Sequence, residues 1–433
     1  MLTQPGLSVA ELIALLPDSE KEQALAELAT TDTEQTALAY DWAFWARPKQ
    51  LPPSGDWRVW LIRSGRGFGK TRTGAEWVRY RAEHGPYYPI ALVGQTKADV
   101  RDTMVELGES SILKVSPPWF RPHFEASKRR LTWPNGMTAT IFSGDEPDQL
   151  RGPQHGSAWV DEFAKFRYPK DTWDNLMLGL RLGADPRALV TSTPRPIPII
   201  KQLIADPYTV DVTGSTYDNA ANLSPVFLDE VRRQYEGTRL GKQELYGEIL
   251  EDNPGALWQR ATLEACRVKV APELTRIVVA IDPAATSGKD SDETGIVVCG
   301  KGSDGHGYVL DDLSLRATPD GWARAAIKAY HAFKADRIVV ETNQGGEMVS
   351  HTLRTIEPTL PITQIHASRG KQVRAEPVAA LFEQGKCHMV GNLPDLEEQL
   401  CSWTIGDASP DRLDSMVYCL TDLLVTNTSW LMG

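Results

Sequence analysis

The sequence predicts an α/β protein with at least two domains. The chain has 433 residues, more than one hydrophobic core ordinarily holds. Between residues 57 and 195, β-branched apolar runs alternate with segments of helical periodicity, which is typical of a mainly parallel sheet flanked by helices. A second alternating unit follows the turn sequence DNPG at 252–255, so we expect a domain boundary there.

The composition is that of a globular protein from a reducing compartment. Hydrophobic residues make up 41% of the chain and charged residues 24%, as in ordinary globular domains. The five cysteines show no CxxC spacing, which favours a reduced intracellular protein without a zinc site. The N-terminus lacks a basic leader, and no apolar run approaches the roughly 18 residues of a membrane span. We therefore expect neither a signal peptide nor a membrane anchor.

The net charge of −11 is shared between the two halves. Residues 1–255 carry −5 and residues 256–433 carry −6. Neither half has the composition of a basic nucleic-acid module. Binding to nucleic acid would therefore need a local basic patch or several assembled subunits.

Strand and helix signals can be placed in both halves. In the first half, the predicted strands are WRVWLI, PIALVG, LTWPNGMTATIFSG, SAWVDE and RALVTST, and the predicted helices are Thr71–His84 and Lys97–Ser110. Leucines at helical spacing across residues 8–30 predict a short helical prelude. In the second half, the predicted strands are RIVVAIDPA, TGIVVCGKG, GYVLDDLSL and RIVVETN, with a helix at 319–333 and an apolar helix after DRLD.

The stretch RSGRGFGKTRTG, residues 63–74, has the features of a phosphate-binding loop. It follows an apolar strand and precedes a predicted helix, which is the context such a loop requires. Ser64 stands where the pattern GxxxxGK[ST] has its first glycine. The backbone freedom that shapes the loop is supplied by Gly65, Gly67 and Gly69.

The last two residues of this motif carry its chemistry. Lys70 would reach the terminal phosphates of a nucleotide, and Thr71 would supply a hydroxyl to a magnesium ion. A glycine-rich turn with a chance Lys-Thr pair is the alternative.

A second motif, SAWVDEF, ends an apolar strand with Asp161 and Glu162. An aspartate at this position can bind magnesium, and a following glutamate can polarise the attacking water. Paired acids at a solvated strand end are the alternative interpretation.

A third motif, LVTSTPRP, ends a strand with the hydroxyls of Thr191–Thr193. In helicase-like motors such a segment senses the terminal phosphate, and Thr193 is our candidate for this contact. An ordinary turn that ends at Pro194 is the alternative. Upstream, Gln50 in FWARPKQLPP could read adenine through its amide or lie in an entry loop without a ligand.

The second half contains acids at three separated positions. Asp282 and Glu341 end apolar runs, and Asp411 and Asp414 lie near the start of the last helix. If they converge, they can hold two Mg²⁺ or Mn²⁺ ions for phosphodiester cleavage, because these metals prefer oxygen ligands. Unrelated surface acids are the alternative.

A basic segment, SRGKQVRAEP, lies between these acids in the sequence. Its Lys371 and Arg374 could contact phosphate or belong to an ordinary basic loop.

Taken in order, these motifs resemble the large terminase subunit of tailed double-stranded DNA bacteriophages. The matching segments are FWARPKQ, SGRGFGKT, DQLRGPQH, AWVDEF, TSTP, AIDPA, VVETN and DRLDSMVY. The resemblance implies an α/β fold with an additional-strand P-loop ATPase domain and an RNase H/RuvC-like nuclease domain. We expect the ATPase domain at 1–208, a lid or linker at 209–255 and the nuclease domain at 256–433.

The resemblance also implies roles for individual residues. It assigns Gln50 to the contact with adenine. The phosphate loop consists of Ser64, Gly65, Gly67, Gly69, Lys70 and Thr71. Thr71 and Asp161 would bind magnesium, Glu162 would act in catalysis, and Thr193 would couple hydrolysis to movement. Arg66 within the loop and Arg151 in DQLRGPQH are both candidates for the working arginine. Asp282, Glu341 and Asp414 match the nuclease triad, with Asp411 as the alternative third acid.

The function implied is a viral DNA-packaging motor that uses ATP with Mg²⁺ and cuts DNA with two Mg²⁺ or Mn²⁺ ions. Its expected partners are double-stranded DNA, the portal of the procapsid, a small terminase subunit and further copies of itself in a ring, although the isolated chain could be a monomer. It would act in the host cytoplasm. A cellular helicase-like translocase without nuclease activity and a small-molecule kinase are the alternatives.

Overall fold

The structure is a computed structural model that describes residues 6–85, 88–235, 239–250, 252–253, 255–283, 293–341, 346–365, 371–404 and 410–425. The chain divides into two compact units, Met1–Glu251 and Asp252–Gly433. Each unit contains one large sheet. The expected α/β architecture with two sheet-bearing domains is therefore confirmed.

The sheet of the first unit is mainly parallel, as predicted. Its strands are β1 (Val59–Ser64), β2 (Ile90–Gly94), β3 (His123–Glu125), β4 (Arg130–Thr132), β5 (Thr138–Ser143), β6 (Ser157–Val160), β7 (Arg187–Ser192) and β8 (Thr209–Gly214). Their order is β3-β4-β5-β2-β6-β7-β1-β8. The strands from β5 to β8 in this order run parallel, and β3 and β4 form an antiparallel extension at one edge.

Helices and turns connect these strands. The helices are α1 (Val9–Ala14), α2 (Asp18–Leu28), α3 (Asp32–Ala39), α4 (Trp42–Trp45), α5 (Lys70–His84), α6 (Lys97–Asp99), α7 (Ile112–Val115), α8 (Pro169–Gly179), α9 (Pro198–Ala205), α10 (Pro225–Tyr235) and α11 (Arg239–Tyr246). The 3-10 segments are Pro48–Gln50, Pro118–Phe120, Ala126–Lys128, Pro147–Leu150, Phe163–Lys165 and Thr216–Asn222. The predicted helical prelude corresponds to α1 and α2.

The central strands are apolar on both faces because helices cover both faces of the sheet. In β1, Trp60 and Ile62 pack into the core on one side and Leu61 into the core on the other. All three side chains are fully buried. A continuous apolar run such as WRVWLI is typical of this environment.

One close approach fixes α5 against the sheet. A Cβ atom added to Gly74 would lie 2.0 Å from the ring of Trp159 on β6. No side chain fits at that distance, so the packing of α5 requires glycine at this position. The α5 N-terminus is thereby held over the parallel strands.

Two predicted elements differ from the structure. LTWPNGMTATIFSG is a β4–β5 hairpin with a turn at Gly136, whose φ of 86° favours glycine. The helix predicted at Lys97–Ser110 consists of α6 followed by a π-helical segment, Val100–Glu106. The spacing of apolar residues did not reveal either difference. A hairpin keeps the alternation of a single strand, and a π-helical segment keeps the apolar residues of an α-helix.

The segment 209–255 was predicted to be a separate lid or linker. The structure instead assigns its first residues, Thr209–Gly214, to β8, which pairs with β1 in the sheet of the first unit. The division between units falls at Glu251 and Asp252, a few residues before the predicted boundary. The assignment of the rest of this segment to a lid or linker stays a prediction.

The second unit has a seven-stranded mixed sheet. Its strands are β9 (Arg267–Val268), β10 (Leu274–Asp282), β11 (Gly295–Gly302), β12 (Gly307–Asp312), β13 (Arg337–Glu341), β14 (Ile362–Ile365) and β15 (Cys387–Val390). Their order is β14-β13-β10-β11-β12-β15-β9. The pairs β10–β11 and β11–β12 are antiparallel, and the remaining pairs are parallel. The predicted hairpin between RIVVAIDPA and TGIVVCGKG is confirmed.

Six helices belong to this unit within the described ranges. They are α12 (Arg260–Ala265), α13 (Pro319–Ala332), α14 (Gly346–Ile356), α15 (Lys371–Glu383), α16 (Pro394–Ser402) and α17 (Asp411–Leu424). The last helix begins directly against the sheet. A Cβ atom on Gly295, the first residue of β11, would lie 2.1 Å from the carbonyl oxygen of Asp411, so this approach also requires glycine.

An arginine ties the first turn of α17 to the neighbouring strands. Arg412 forms ion pairs with Glu293 and with the buried carboxylate of Asp312. Its guanidinium is itself largely buried. Removing one member of such a buried group leaves the opposite charge uncompensated. Arg412 therefore links the start of α17 to β12 and to Glu293, just before β11.

The cysteines lie within the described ranges, and all five are buried and free. Over the same ranges, no helix combines the length and apolar character needed to cross a membrane.

A buried histidine lies beside the sheet of the first unit. His155 is 2% exposed, and its ring packs edge-on against Phe142 with centroids 5.3 Å apart. Neither ring nitrogen has a hydrogen-bond partner among the described residues. Burial lowers the pKa of His155 to about 4, so the folded protein keeps this ring neutral.

This histidine predicts a specific dependence of stability on pH. Because its folded pKa lies below the ordinary 6.5, the unfolded chain binds the proton first. The free energy of unfolding should fall by up to about 3 kcal/mol as pH drops from 6.5 towards 4. Chemical denaturation at several pH values should show that His155→Phe lacks this component. Equal pH slopes in both proteins would contradict the assignment.

Candidate functional site

The motifs of the first unit meet at one edge of its sheet. Strands β6, β7 and β1 are parallel neighbours, so their carboxyl ends lie side by side. The glycine-rich loop follows β1, the acidic pair follows β6, and the hydroxyl motif ends β7. Ligands of open parallel sheets bind at this edge.

The glycine-rich loop has a special backbone at two of its three glycines. Gly67 has φ 79° and Gly69 has φ 101°, values that favour glycine. Gly65 was expected to share this feature, but it is not among the residues with positive φ. Its N–H continues the sheet by donating to the carbonyl of Gly214 on β8 at 3.0 Å, so the turn of the loop begins only after Gly65.

Lys70 begins α5 and its ammonium group lies inside the loop. Its Nζ donates to the carbonyl oxygens of Ser64 at 3.0 Å and Gly65 at 3.4 Å. It also lies 3.7 Å from Oε1 of Glu162. Thr71 occupies the next position of α5. The structure therefore brings the lysine of the loop and the glutamate of the acidic motif into one ion pair.

The acidic pair has two different electrostatic environments. Burial and the neighbouring Glu162 raise the pKa of Asp161, although a hydrogen bond from Thr191 opposes this. Burial alone would also raise the pKa of Glu162, but Lys70 and Lys165 outweigh it and the net pKa is lowered. Glu162 is therefore held as a carboxylate, whereas the charged form of Asp161 is disfavoured and would be stabilised by a nearby cation.

The hydroxyl motif binds the acidic segment at every residue. Thr191 donates to Oδ1 of Asp161 at 2.5 Å, and Thr193 donates to Oε2 of Glu162 at 3.0 Å. Between them, Ser192 accepts the N–H of Ala164 at 3.1 Å. The end of β7 thus fixes the loop after β6 through three consecutive side chains.

Glu162 has a backbone conformation that side chains rarely adopt. Its φ is 51° and its ψ is 43°, in the left-handed region that costs a residue other than glycine on the order of 1 kcal/mol. The hydrogen bond from Thr193 and the ion pair with Lys165, 3.3 Å away, stabilise this arrangement. Lys165 lies three residues after Glu162 and was not predicted; the loop conformation that brings the two together could not be read from the sequence.

The remaining ATPase candidates lie around this centre. Gln50 is buried against the loop, where its Nε2 donates to Thr73 and a Cβ atom on Gly69 would meet it at 2.7 Å. The side chain of Arg66 is exposed. Arg151 is also exposed, and it contacts Asp148 and Asn175 within its own unit.

The acids of the second unit also converge. Asp282 ends β10 and Glu341 ends the parallel neighbour β13. Asp414 lies in the first turn of α17 and is 2% exposed. Ser415 accepts the backbone N–H of Asp282 at 3.0 Å, which joins this turn of α17 to the end of β10.

The pKa of Asp282 responds more to Asp414 than to Asp411, the other candidate third acid. The pKa of Asp282 is raised well above its usual range by burial, then by Asp414, and by a hydrogen bond with Glu341. Asp411 contributes the least of the named groups. Among the residues that the structure describes, no three His, Cys, Asp or Glu side chains are arranged to hold a metal ion. Burial and the neighbouring acids therefore favour the protonated form of Asp282.

A tyrosine and an arginine adjoin this cluster. Tyr418 lies one turn after Asp414 on α17, and Arg374 donates to its hydroxyl with the guanidinium 5.0 Å from the ring centroid. Burial and then Asp282 and Asp414 raise the pKa of Tyr418, which keeps the phenol protonated. Tyr418 was not singled out from the sequence; its position four residues after Asp414, on the same face of a helix, is the signal that could have indicated it. Lys371 belongs to α15, and its side chain lies outside the described residues.

Two family models match the chain. The first, "Terminase large subunit, T4likevirus-type, N-terminal", covers residues 61–265. The second, "Terminase RNaseH-like domain", covers residues 279–423. The sequence has no significant match among curated proteins.

Solved structures show a distant similarity. The large terminase from a thermophilic bacteriophage, in complex with ADP, is 14% identical, with 92% of this chain and 99% of that chain covered and a TM-score of 0.43. The large terminase of bacteriophage HK97 is 14% identical, with 90% and 94% covered and a TM-score of 0.37. At these scores the likeness adds nothing to the family models. The two family models follow each other along the sequence and together span most of it. The chain therefore belongs to the large terminase subunit family of tailed bacteriophages.

Proposed function

We propose that this large terminase subunit hydrolyses ATP to drive double-stranded DNA into a procapsid and cuts concatemeric DNA by metal-dependent hydrolysis. The observation that carries the proposal is the ion pair between Lys70 of the phosphate loop and Glu162 of the acidic motif. This pair supports the proposal because nucleotide hydrolysis needs a cation for the phosphate close to a carboxylate that polarises water. The separate acid cluster of the second unit supports the cutting activity.

In the proposed ATPase reaction, the nucleotide competes with Glu162 for Lys70. The terminal phosphate is the stronger acceptor for the ammonium group, so binding would draw Lys70 away from the carboxylate. The pKa of Glu162, now depressed partly by Lys70, would then rise. Glu162 becomes a better acceptor for the proton of the attacking water when phosphate is bound, while Thr193 keeps it in place.

Magnesium fits the residues beside this carboxylate. Asp161 is buried and its negative charge is opposed by Glu162, so a divalent cation would offset an existing cost. Thr191 occupies one carboxylate oxygen of Asp161 and leaves the other for a cation, and Thr71 would supply a hydroxyl. The ion would neutralise charge on the transferred phosphoryl group.

The acids of the second unit have the oxygen ligands of a divalent-cation site, although as they stand in the described residues they are not arranged to hold a metal ion. Asp282 and Asp414 are buried and Glu341 is half-buried, and we propose that these acids draw together around two Mg²⁺ or Mn²⁺ ions, which would offset the repulsion that raises the pKa of Asp282. Oxygen ligands suit both metals. The ions would supply an activated water and stabilise the leaving oxygen of the phosphodiester. Arg374, which contacts Tyr418 beside the cluster, would bind a phosphate of the DNA.

Further roles are proposed for side chains around the nucleotide. Gln50 would face adenine, and Arg66 or Arg151 would stabilise the charge of the transition state, with Arg151 acting on a neighbouring subunit. Both arginines are exposed, which suits a contact made by assembly. The proposed partners are double-stranded DNA, the portal, a small terminase subunit and other copies in a ring, within the host cytoplasm.

The two proposed activities should be separable by mutation. Glu162→Gln removes the carboxylate that polarises water and should lower the kcat for ATP by about 100-fold or more, while plasmid cleavage with Mn²⁺ persists. Asp282→Asn should abolish cleavage and leave ATP turnover unchanged. Each variant is the matched control for the other.

Two results would contradict the proposal. ATP turnover retained in Glu162→Gln would remove the motor assignment. No nicking of supercoiled plasmid by the unmodified protein, with Mg²⁺ or Mn²⁺ and with or without ATP, would favour a helicase-like translocase that lacks a nuclease.

The hydrogen bond from Thr193 to Glu162 predicts a kinetic signature. Thr193→Val removes a bond to a charged group, so kcat should fall about tenfold. The KM for ATP should stay the same if Thr193 acts through Glu162, and Thr193→Ser should behave as the unmodified protein. A rise in KM with unchanged kcat would show instead that Thr193 binds the nucleotide directly.

A further inference from the structure

The outer side of the phosphate loop is held by side chains from elsewhere in the first unit. The carbonyl of Arg66 accepts the hydroxyl of Thr216 at 2.6 Å, and the carbonyl of Gly67 accepts Nδ2 of Asn219 at 2.6 Å. The next carbonyl, of Phe68, accepts the guanidinium of Arg47. Three consecutive peptide groups of the loop are therefore each fixed by a separate donor.

These donors belong to one connected group. Thr216 and Asn219 lie in the 3-10 segment Thr216–Asn222, which follows β8. Oδ1 of Asn219 accepts a second bond from Arg47. Lys49, two residues after Arg47, forms an ion pair with Asp218 of the same segment at 3.1 Å. The 3-10 segment, Arg47 and Lys49 are thus joined to one another on the outer side of the loop.

The fixed carbonyls determine where the loop N–H groups point. A peptide group is planar and trans, so its carbonyl and the following N–H point in opposite directions. Holding the carbonyls of Arg66, Gly67 and Phe68 in this way turns the N–H groups of residues 67, 68 and 69 to the opposite side. There the N–H of Phe68 donates to the carbonyl of Gly65 at 3.4 Å, and Nζ of Lys70 donates to the same carbonyl. Inward N–H groups are what binds phosphate in such a loop.

Two glycines, Gly67 in the loop and Gly247 beside it, also show close packing between the loop and the chain after β8. A Cβ atom on Gly67 would lie 3.1 Å from Leu223, just beyond the 3-10 segment. Gly247, directly after α11, has φ 72°, and its Cβ would lie 2.7 Å from the carbonyl of Gly214 and 3.2 Å from Cα of Ser64. Residues on both sides of α10 and α11 therefore contact the loop closely.

We propose that Thr216 and Asn219, with Arg47, are positioning residues that keep the phosphate loop in its nucleotide-binding conformation. The proposal rests on the proposed ATPase function and adds a route by which the segment after β8 affects it. A loop that contains Gly65, Gly67 and Gly69 loses much conformational freedom when it is ordered. The three bonds supply that order before the nucleotide binds, so displacement of the 3-10 segment would weaken nucleotide binding.

Substitutions at Thr216 and Asn219 test this role. Thr216→Val removes the hydroxyl and keeps the shape, and Asn219→Leu removes the amide donor. Each should weaken binding of a fluorescent non-hydrolysable ATP analogue about fivefold, and the double variant more. The kcat at saturating ATP should stay unchanged, because Lys70 and Glu162 are untouched. Thr216→Ser should restore binding, and Thr213→Val, an exposed site on β8, should have no effect.

A second measurement separates this proposal from the proposed function. In nucleotide-free protein with ¹⁵N-labelled glycine, the amide resonances of Gly67 and Gly69 should shift or broaden in the double variant, while that of Gly136 stays unchanged. This result is independent of ATP binding, so it holds even if the unmodified protein binds no nucleotide. Unchanged loop resonances, or variants that lower only the melting temperature and leave nucleotide affinity intact, would overturn the positioning role.

Discussion

The ion pair between Lys70 and Glu162 is the interaction on which the first unit depends. Lys70 comes from the loop after β1 and Glu162 from the turn after β6, and β7 lies between these strands. Burial opposes the charge of Glu162, so the carboxylate stays ionised only while cations and the Thr193 hydroxyl surround it. The unusual backbone of Glu162 persists for the same reason. The same contacts therefore stabilise both the backbone conformation of Glu162 and its negative charge.

Both units place acids where their charge is opposed by burial. In the first unit the cost falls mainly on Asp161, and in the second on Asp282, whose pKa values are raised. In each unit a glycine lets another element pack closely near the acid: Gly74 against Trp159, two residues before Asp161, and Gly295, the strand partner of Asp282, against Asp411. Such clusters favour protonation or a divalent cation, and this requirement links the fold to the proposed chemistry of each site.

The sequence predicted the positions of the motifs better than their surroundings. The ends of strands were readable because apolar β-branched runs stop at Asp161, Asp282 and Glu341, and parallel strands bring such ends together. We expected an unusual backbone at Gly65 as at Gly67 and Gly69, but Gly65 is not among the residues with positive φ, and its N–H donates to Gly214 at the end of β8.

The supporting contacts could not be predicted, because they join distant parts of the chain. Thr216 and Asn219 bind loop residues some 150 positions earlier, and no periodicity marks them. The helix predicted after residue 97 likewise became π-helical in part, a change that depends on local packing rather than on composition.

The most direct test is the structure of the protein with a non-hydrolysable ATP analogue and Mg²⁺. We predict that Nζ of Lys70 leaves Glu162 and lies about 3 Å from an oxygen of the terminal phosphate, with Thr71 and Asp161 beside the ion. The hydrogen bonds from Thr216 and Asn219 to the loop should remain. A nucleotide bound away from the loop, or Lys70 still paired with Glu162 beside a bound nucleotide, would contradict the account.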